Sequence, residues 1–190
     1  MEPLTLTTER LRLRAFTADD TDRVYAVCQD PDIQRWTTIP SPYERRHAED
    51  FVTRLVPEGW RNDTEYTFAV QPRDGGPVVA AISLHHPRSG NWEIGFWTAR
   101  EHRGRGYMAE AMTALAHFAF TALGAVRLEW RAEVGNTASR AVAEKAGAVV
   151  EGVLRGGLLN KGTLRDCWIG GLLPSDLGLP SAHPYLPARD

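Results

Sequence analysis

The segment Glu101-His102-Arg103-Gly104-Arg105-Gly106-Tyr107-Met108-Ala109-Glu110-Ala111 holds two glycines one residue apart and runs straight into helix-forming residues. Glycine lets a backbone turn tightly and approach a ligand with no Cβ in the way. A helix that starts there brings unpaired N–H groups and a partial positive charge to its first turn. That combination binds phosphate or pyrophosphate. Arg103, Arg105 and His102 would add charge-assisted contacts to the same anion. Asn136 and Ser139 stand three apart at a helix start. No third ligand accompanies the pair His85-His86, and Cys28 and Cys167 lack C-x-x-C and zinc spacing, so no metal is expected.

These residues need elements to position them. Leu11, Leu13 and Ala15 alternate with Arg10, Arg12 and Arg14, the pattern of a half-buried first strand. Thr17 before Ala18-Asp19-Asp20 reads as a helix start, with Val24, Val27 and Cys28 as its buried face. Pro31, Pro40 and Pro42 mark a loop that carries Arg35 and Trp36, and a second helix is expected over 44–55. Strands are expected over 64–70 and 77–84, joined by the turn Arg73-Asp74-Gly75-Gly76. A further strand covers 91–98, with Trp92, Ile94 and Phe96 on one face and Glu93, Gly95 and Trp97 on the other. A helix over 107–123 carries Met108, Met112, Leu115 and Ala119 at helical spacing, with Gly124 as its stop. A strand at 126–131, a short helix at 136–146 capped by Asn136, and strands at 149–154 and 164–172 follow. One strand–helix–strand unit implies a local parallel pairing through a right-handed crossover. The fold class is therefore α+β: a mixed, mostly antiparallel sheet flanked by helices. We expect one domain over 1–173 and a tail over 174–190 with four prolines.

At 190 residues, with 43% apolar and 24% charged, the chain can bury a full core. A net charge of −2 gives no broad basic surface, so no nucleic-acid partner is expected. No apolar run approaches the ~20 residues that span a bilayer, so no membrane partner is expected either. The N-terminus lacks the regions of a signal peptide, and with the free thiols this points to a reducing cytoplasm.

The motif Gly104-x-Gly106-x-x-Ala109 also fits the dinucleotide fingerprint, with Glu129 where a ribose-binding acid would stand. Three features weigh against a nicotinamide-dependent oxidoreductase. The loop is in mid-chain, residues 99–103 separate it from its strand, and 91–98 is not uniformly apolar.

Arg103-Gly104-Arg105-Gly106-Tyr107-Met108 resembles instead the pyrophosphate-binding segment of the GCN5-related N-acetyltransferases (GNAT). Trp92-Glu93-Ile94-Gly95-Phe96-Trp97 is similar to the family's fourth strand. Asn136-x-x-Ser139-x-x-x-x-Glu144-Lys145-x-Gly147 resembles a helix of the RimJ/RimL-type ribosomal-protein branch. Thr8-Glu9-Arg10-Leu11-x-Leu13-Arg14, Gly152-x-Leu154-Arg155 and Arg165-Asp166 look like that branch too. The likeness runs from about residue 7 to 173.

The resemblance implies a GNAT-like acyl-CoA fold and acetyl transfer from acetyl-CoA to a primary amine in a ternary complex. The acceptor would be a protein N-terminus or a small-molecule amine. Backbone groups at Gly104, Arg105, Gly106, Tyr107 and Met108 would hold the pyrophosphate. Phe96, Trp97 and Thr98 would meet the pantetheine arm, with Gly95 leaving room. Asn136 would contact that arm, Glu93 would be the general base, and Ser139 would hydrogen-bond the sulfur. Trp36, Tyr43 and His85 fall where the acceptor would bind. A homodimer is expected by analogy. Two departures stand out. Met108 replaces a usual Gly or Ala, and Ala143 stands where many members have a tyrosine acid. They leave a second reading open, a coenzyme A-binding sensor or adaptor without catalysis.

Overall fold

The computed structural model describes residues 1–188, apart from the side chain of His86. Eight strands form one sheet: β1 (Leu6–Thr7), β2 (Leu11–Arg14), β3 (Glu65–Pro72), β4 (Ala80–Arg88), β5 (Asn91–Thr98), β6 (Arg127–Glu133), β7 (Val149–Asn160) and β8 (Thr163–Leu172). Their order is β1-β2-β3-β4-β5-β6-β8-β7, and β5–β6 is the parallel pair. The helices are α1 (Thr21–Val27), α2 (Pro31–Trp36), α3 (Arg45–Asp50), α4 (Val56–Arg61), α5 (Tyr107–Thr121) and α6 (Thr137–Lys145). The mixed, mostly antiparallel sheet flanked by helices is as expected.

Register assigns the two faces. Tyr66, Phe68, Leu84, Ile82, Ile94, Phe96, Leu128 and Trp130 point one way, because residues paired across neighbouring strands share a face. α5 covers that face, with Phe118 packed edge-on against Phe68 and Tyr66 at 6.0 and 6.2 Å. Its residues Met112, Leu115 and Ala119 are fully buried. Arg14 and Glu133 belong to the opposite face, and they bond Asp20 just before α1 and Arg35 in α2. α1 and α2 therefore lie over that second face.

Two helical segments depart from expectation. Pro31 does not open a loop. It stands in the first turn of α2, where its missing N–H costs nothing, and Asp30 Oδ1 caps the Asp32 N–H at 2.8 Å. Nor does the helix expected over 44–55 end at Leu55. α3 passes through a wider π-helical turn, Phe51–Leu55, into α4. The Val56 N–H bonds the Phe51 carbonyl five residues back, loosening the chain just before Pro57. The extension carries Trp60 to the part of β3 that β2 does not pair. There its indole donates to the Thr67 carbonyl at 3.1 Å and covers an open strand edge.

β7 is the sheet edge and runs on to Asn160, further than the alternation suggested, through irregular pairing with β8 between Leu154 and Leu158. The long hairpin that results ends at Lys161-Gly162. The tail opens with a 3-10 turn, Pro174–Leu177, whose Leu177 packs on the core.

Arg14 and Asp20 tie β2 to the start of α1. Two guanidinium nitrogens reach the carboxylate at 2.7 and 2.8 Å, and the Thr17 N–H adds a third bond at 2.8 Å. Burial pushes the Asp20 carboxyl up, but these bonds outweigh it and hold its pKa below the usual value. A depressed carboxylate stabilises the fold above its unfolded pKa of ~3.9, and that contribution is lost as pH falls through the folded value. Asp20→Asn should cost about 2–3 kcal/mol at pH 7. The gap to the parent protein should close toward pH 3. Urea unfolding at both pH values measures it, and an equal gap at both would remove the ion pair from the account.

Candidate active site

Gly104 and Gly106 adopt φ of +74° and +76°, the left-handed region that disfavours any Cβ. A Cβ on Gly104 would meet nothing within 4 Å, so the backbone angle alone demands glycine there. Gly106 is the residue before α5. Among the described residues, nothing accepts from the N–H groups of Gly104, Arg105 or Gly106. The first turn of α5 adds Tyr107, Met108 and Ala109, which have no intrahelical acceptor four residues back. A row of backbone donors without protein acceptors among the described residues thus stands at one helix start. Met108, which could have crowded it, is 4% exposed and turned into the core.

The cations around this loop differ from those expected. Arg103 is not one of them. Its guanidinium donates to Asp30 at 2.8 Å, to Asp32 at 3.1 Å and, through Nε, to the Thr98 carbonyl at 3.1 Å. Its N–H donates to the Arg100 carbonyl. Arg103 therefore clamps the end of β5 to the start of α2, and two carboxylates meet its charge. His102 also drops out as a charged group, because burial lowers its pKa against the pull of Glu101. Arg105 stays exposed with no ion pair among the described residues. Two residues not assigned to the site complete the set. Arg10 lies 5.0 Å over the Tyr107 ring and donates to the Arg105 carbonyl at 3.1 Å. The Lys145 ammonium would be 3.3 Å from a Cβ at Gly106. Both belong to segments that resemble the family, but strand alternation and a helix end explain them without a site.

Glu110, in the first turn of α5, anchors the arrangement from behind. It accepts from Thr8 Oγ1, from the Arg10 N–H and from Arg10 Nε at 2.5, 3.0 and 2.6 Å. Burial opposes its charge, but these donors together hold its pKa down.

The parallel pairing of β5 with β6 runs only from Asn91↔Arg127 to Ile94↔Trp130. Beyond it, residues 95–98 still pair with β4 while β6 has moved away. A wedge opens there. The Ala99 N–H bonds Val79 on the β4 side. By the two-residue alternation of a strand, the peptide groups of Trp97 face β4 and those of Phe96 and Thr98 face the wedge. Of the three expected backbone contacts, Trp97 is turned away, and the Thr98 carbonyl is occupied by Arg103. Phe96 and the Thr98 N–H remain.

On the face under α6, Asn136 Oδ1 caps the Ser139 N–H at 3.1 Å. The buried Trp130 donates its indole N–H to Ser139 Oγ at 3.0 Å. An indole can only donate, so the serine oxygen must accept, and the serine's own proton points elsewhere. On the opposite face, Glu93 stands beside His85 of β4, 3.7 Å apart, and beside Glu129 of β6. Glu65 extends this polar row onto β3. Glu129 bonds Arg131 at 2.7 Å. Gly95 makes room for His85, not for an incoming ligand: a Cβ there would lie 2.7 Å from the imidazole. Glu93 and Ser139 thus flank the end of the parallel pairing from opposite faces.

Trp36 is half-buried at the wedge, 3.8 Å from a Cβ built on Gly135, and Arg35 stacks over its ring. Tyr43 does not belong with it. Its ring is 6% exposed among α1 and α3, and burial, with Cys28 beside it, pushes its phenol pKa up. It is a core residue. Cys167 shares the Glu93 face but is fully buried, and burial raises its thiol pKa, which makes it a poor nucleophile.

Comparison with known proteins places this geometry. Residues 10–149 match the acetyltransferase (GNAT) domain. The uncharacterized N-acetyltransferase p20 of Bacillus licheniformis is 30% identical over 172 residues, covering 89% of this chain and 96% of p20. A candidate ribosomal-protein-serine acetyltransferase of Vibrio cholerae superposes with a TM-score of 0.82 at 26% identity, covering 92% of this chain and 100% of that one. RimJ of Mycobacterium smegmatis, solved with CoA-disulfide, shares the fold at 21% identity, with a TM-score of 0.80 over 94% of this chain and 92% of its own. The protein belongs to the GNAT acetyltransferase family, among neighbours of the ribosomal-protein type.

Proposed function

We propose that this N-acetyltransferase moves the acetyl group of acetyl-CoA directly to the α-amine of a protein N-terminus, with Glu93 as base and Ser139 as donor to the leaving sulfur. The observation that carries it is the end of the β5–β6 pairing at Ile94↔Trp130, with Glu93 on one face and Ser139 on the other. The unpaired N–H row of 104–106 suits a pyrophosphate, and the wedge suits an extended arm bearing amides. The name of the Vibrio cholerae neighbour, a candidate ribosomal-protein-serine acetyltransferase, supports a protein serine residue as acceptor.

The thioester supplies the acetyl group. An α-amine has a pKa near ~7.7–8.0, against ~10.4 for lysine, so Glu93 has the lighter task with an N-terminus. It would take the amine proton as the new C–N bond forms, directly or through one water. Ser139 would donate its hydrogen bond as the acetyl C–S bond breaks and the leaving sulfur gathers negative charge. Trp130 holds the serine oxygen as acceptor, so the serine proton is the one left to give. No tyrosine is needed in this scheme. Trp36 would line the path of the acceptor.

The scheme is tested first with a panel of N-terminal peptides and small amines. Turnover restricted to small amines would remove the peptide acceptor. Stabilisation by acetyl-CoA with no turnover of any amine would favour the sensor reading. Glu93→Gln should lower kcat by roughly 10²–10⁴-fold and erase the acid limb of the pH profile. An unchanged profile would take Glu93 out of the mechanism.

Ser139→Ala should lower kcat about 10²-fold. Trp130→Phe should lower it by less while leaving the acetyl-CoA Kd alone, since it removes only the donor that orients Ser139. Equal kcat in the parent and both variants would refute this pair. The two loop arginines should separate cleanly by calorimetry and thermal melting. Arg105→Ala should weaken coenzyme binding about tenfold, the scale of one lost charged hydrogen bond. Arg103→Ala should instead lower Tm, because it breaks the clamp on Asp30, Asp32 and Thr98.

A further inference from the structure

Between α2 and the tip of the β7–β8 hairpin lies an open, shallow cavity of about 330 Å³, lined among others by Gln34, Arg35, Ser41, Asn160, Lys161 and Arg165. Three of these residues are cations. The carboxylate facing them is Glu133, at the end of β6. Arg35 takes both its oxygens, at 2.8 and 2.7 Å. Arg165 approaches Glu133 no closer than 3.6 Å, too far for a hydrogen bond. Lys161 donates to the carbonyls of Gln34 and Thr37, which fixes its ammonium but leaves its charge unopposed. The cavity therefore holds more positive charge than its own carboxylate balances.

Arg165 is the least explained member. Its guanidinium makes no hydrogen bond among the described residues, and its Nε is buried without an acceptor. The Asn160 side-chain oxygen is likewise buried without a donor. Capping the end of α2 accounts for Lys161, but beyond the 3.6 Å approach to Glu133 nothing among the described residues engages the Arg165 guanidinium. Burial and the nearby charge of Arg35 both depress the Lys161 pKa, as expected of cations gathered without counter-charge. The position matters as much as the charge. Arg35 and Trp36 are consecutive, and Trp36 lies against Gly135, next to the Asn136 cap. The cavity therefore adjoins the wedge on the Glu93 side.

We propose that this cavity is a subsite for a carboxylate carried by the acceptor a few residues from its reacting amine, so that the enzyme selects acidic N-terminal segments. Arg165 would be its main contact and Lys161 would supply charge. The proposal rests on the peptide-acceptor reading above and narrows it.

Twin peptides test it, identical but for Asp and Glu against Asn and Gln at positions two to four. Calorimetry with coenzyme A present reads binding without turnover, and steady-state assays read kcat/KM. The parent protein should favour the acidic twin by about tenfold, the scale of a charged hydrogen bond. Arg165→Gln should bring the twins to within about twofold, and Arg165→Lys should keep part of the preference. Lys161→Gln, at an exposed hairpin tip, repeats the test if Arg165→Gln folds poorly. Equal binding of the twins to the parent, or a preference undiminished in Arg165→Gln and Lys161→Gln alike, overturns the proposal. So does binding of inorganic phosphate with no discrimination between the twins, which marks a site for free anions. Discrimination in binding without any acetylation would instead sink the peptide-acetylation reading and leave the subsite standing.

Discussion

The short parallel register between β5 and β6 is the constraint on which the rest depends. Parallel neighbours need a crossover, here α5, and the crossover must start beside the C-terminal end of β5. The start of α5 and the point where the strands part therefore lie on the same side of the sheet. Had the pairing continued past Ile94↔Trp130, the peptide groups of Phe96 and Thr98 would be satisfied by β6 and no wedge would exist. Sheet polar groups are normally paired. A strand end left open beside a row of free helix N–H groups is a costly arrangement that a bound, amide- and phosphate-bearing ligand resolves.

The charged residues around the wedge largely serve to hold this geometry. Arg103 ties β5 to α2, and Glu110 ties the β1–β2 turn to α5. Both interactions leave the N–H groups of Gly104, Arg105 and Gly106 without a protein acceptor among the described residues, so their dipoles add to the charge of Arg105 and Lys145. An arrangement built on backbone survives changes of side chain better than one built on arginines. That is why Met108 can replace a smaller residue without cost: helical direction sends it into the core.

The sequence made the sheet, the loop and the face alternation of β5 readable, because each rests on local periodicity or on a glycine that only one backbone geometry requires. It misled where one residue type had two physical outcomes. Pro31 can break a chain or start a helix, and only Asp30 as cap decides. Pro57 can end a helix or be absorbed by a π-helical turn. Arg103 and Arg105 look alike in the motif, but Asp30 and Asp32, some seventy residues away in the chain, claim one of them. Trp130 offered no local signal at all, since its bond to Ser139 joins a strand to a later helix. Tyr43 falls in the acceptor region by position, not by chemistry, and packing takes it into the core.

The two halves of the proposed reaction rest on parts of the fold with different rigidity. Glu93 and Trp130 sit on paired central strands, and Ser139 is fixed by a buried indole. The proposed acceptor side is built from a six-residue helix and the tip of an edge hairpin, joined by contacts such as Lys161 to Gln34 and Thr37 that are exposed to solvent. Local opening is easiest where buried apolar contacts are few. Residues that choose the acceptor can therefore change, or move on binding, without disturbing the strand end that carries the chemistry. In the proposed scheme, one fold keeps a single acetyl-transfer geometry while its α2–hairpin border selects the amine.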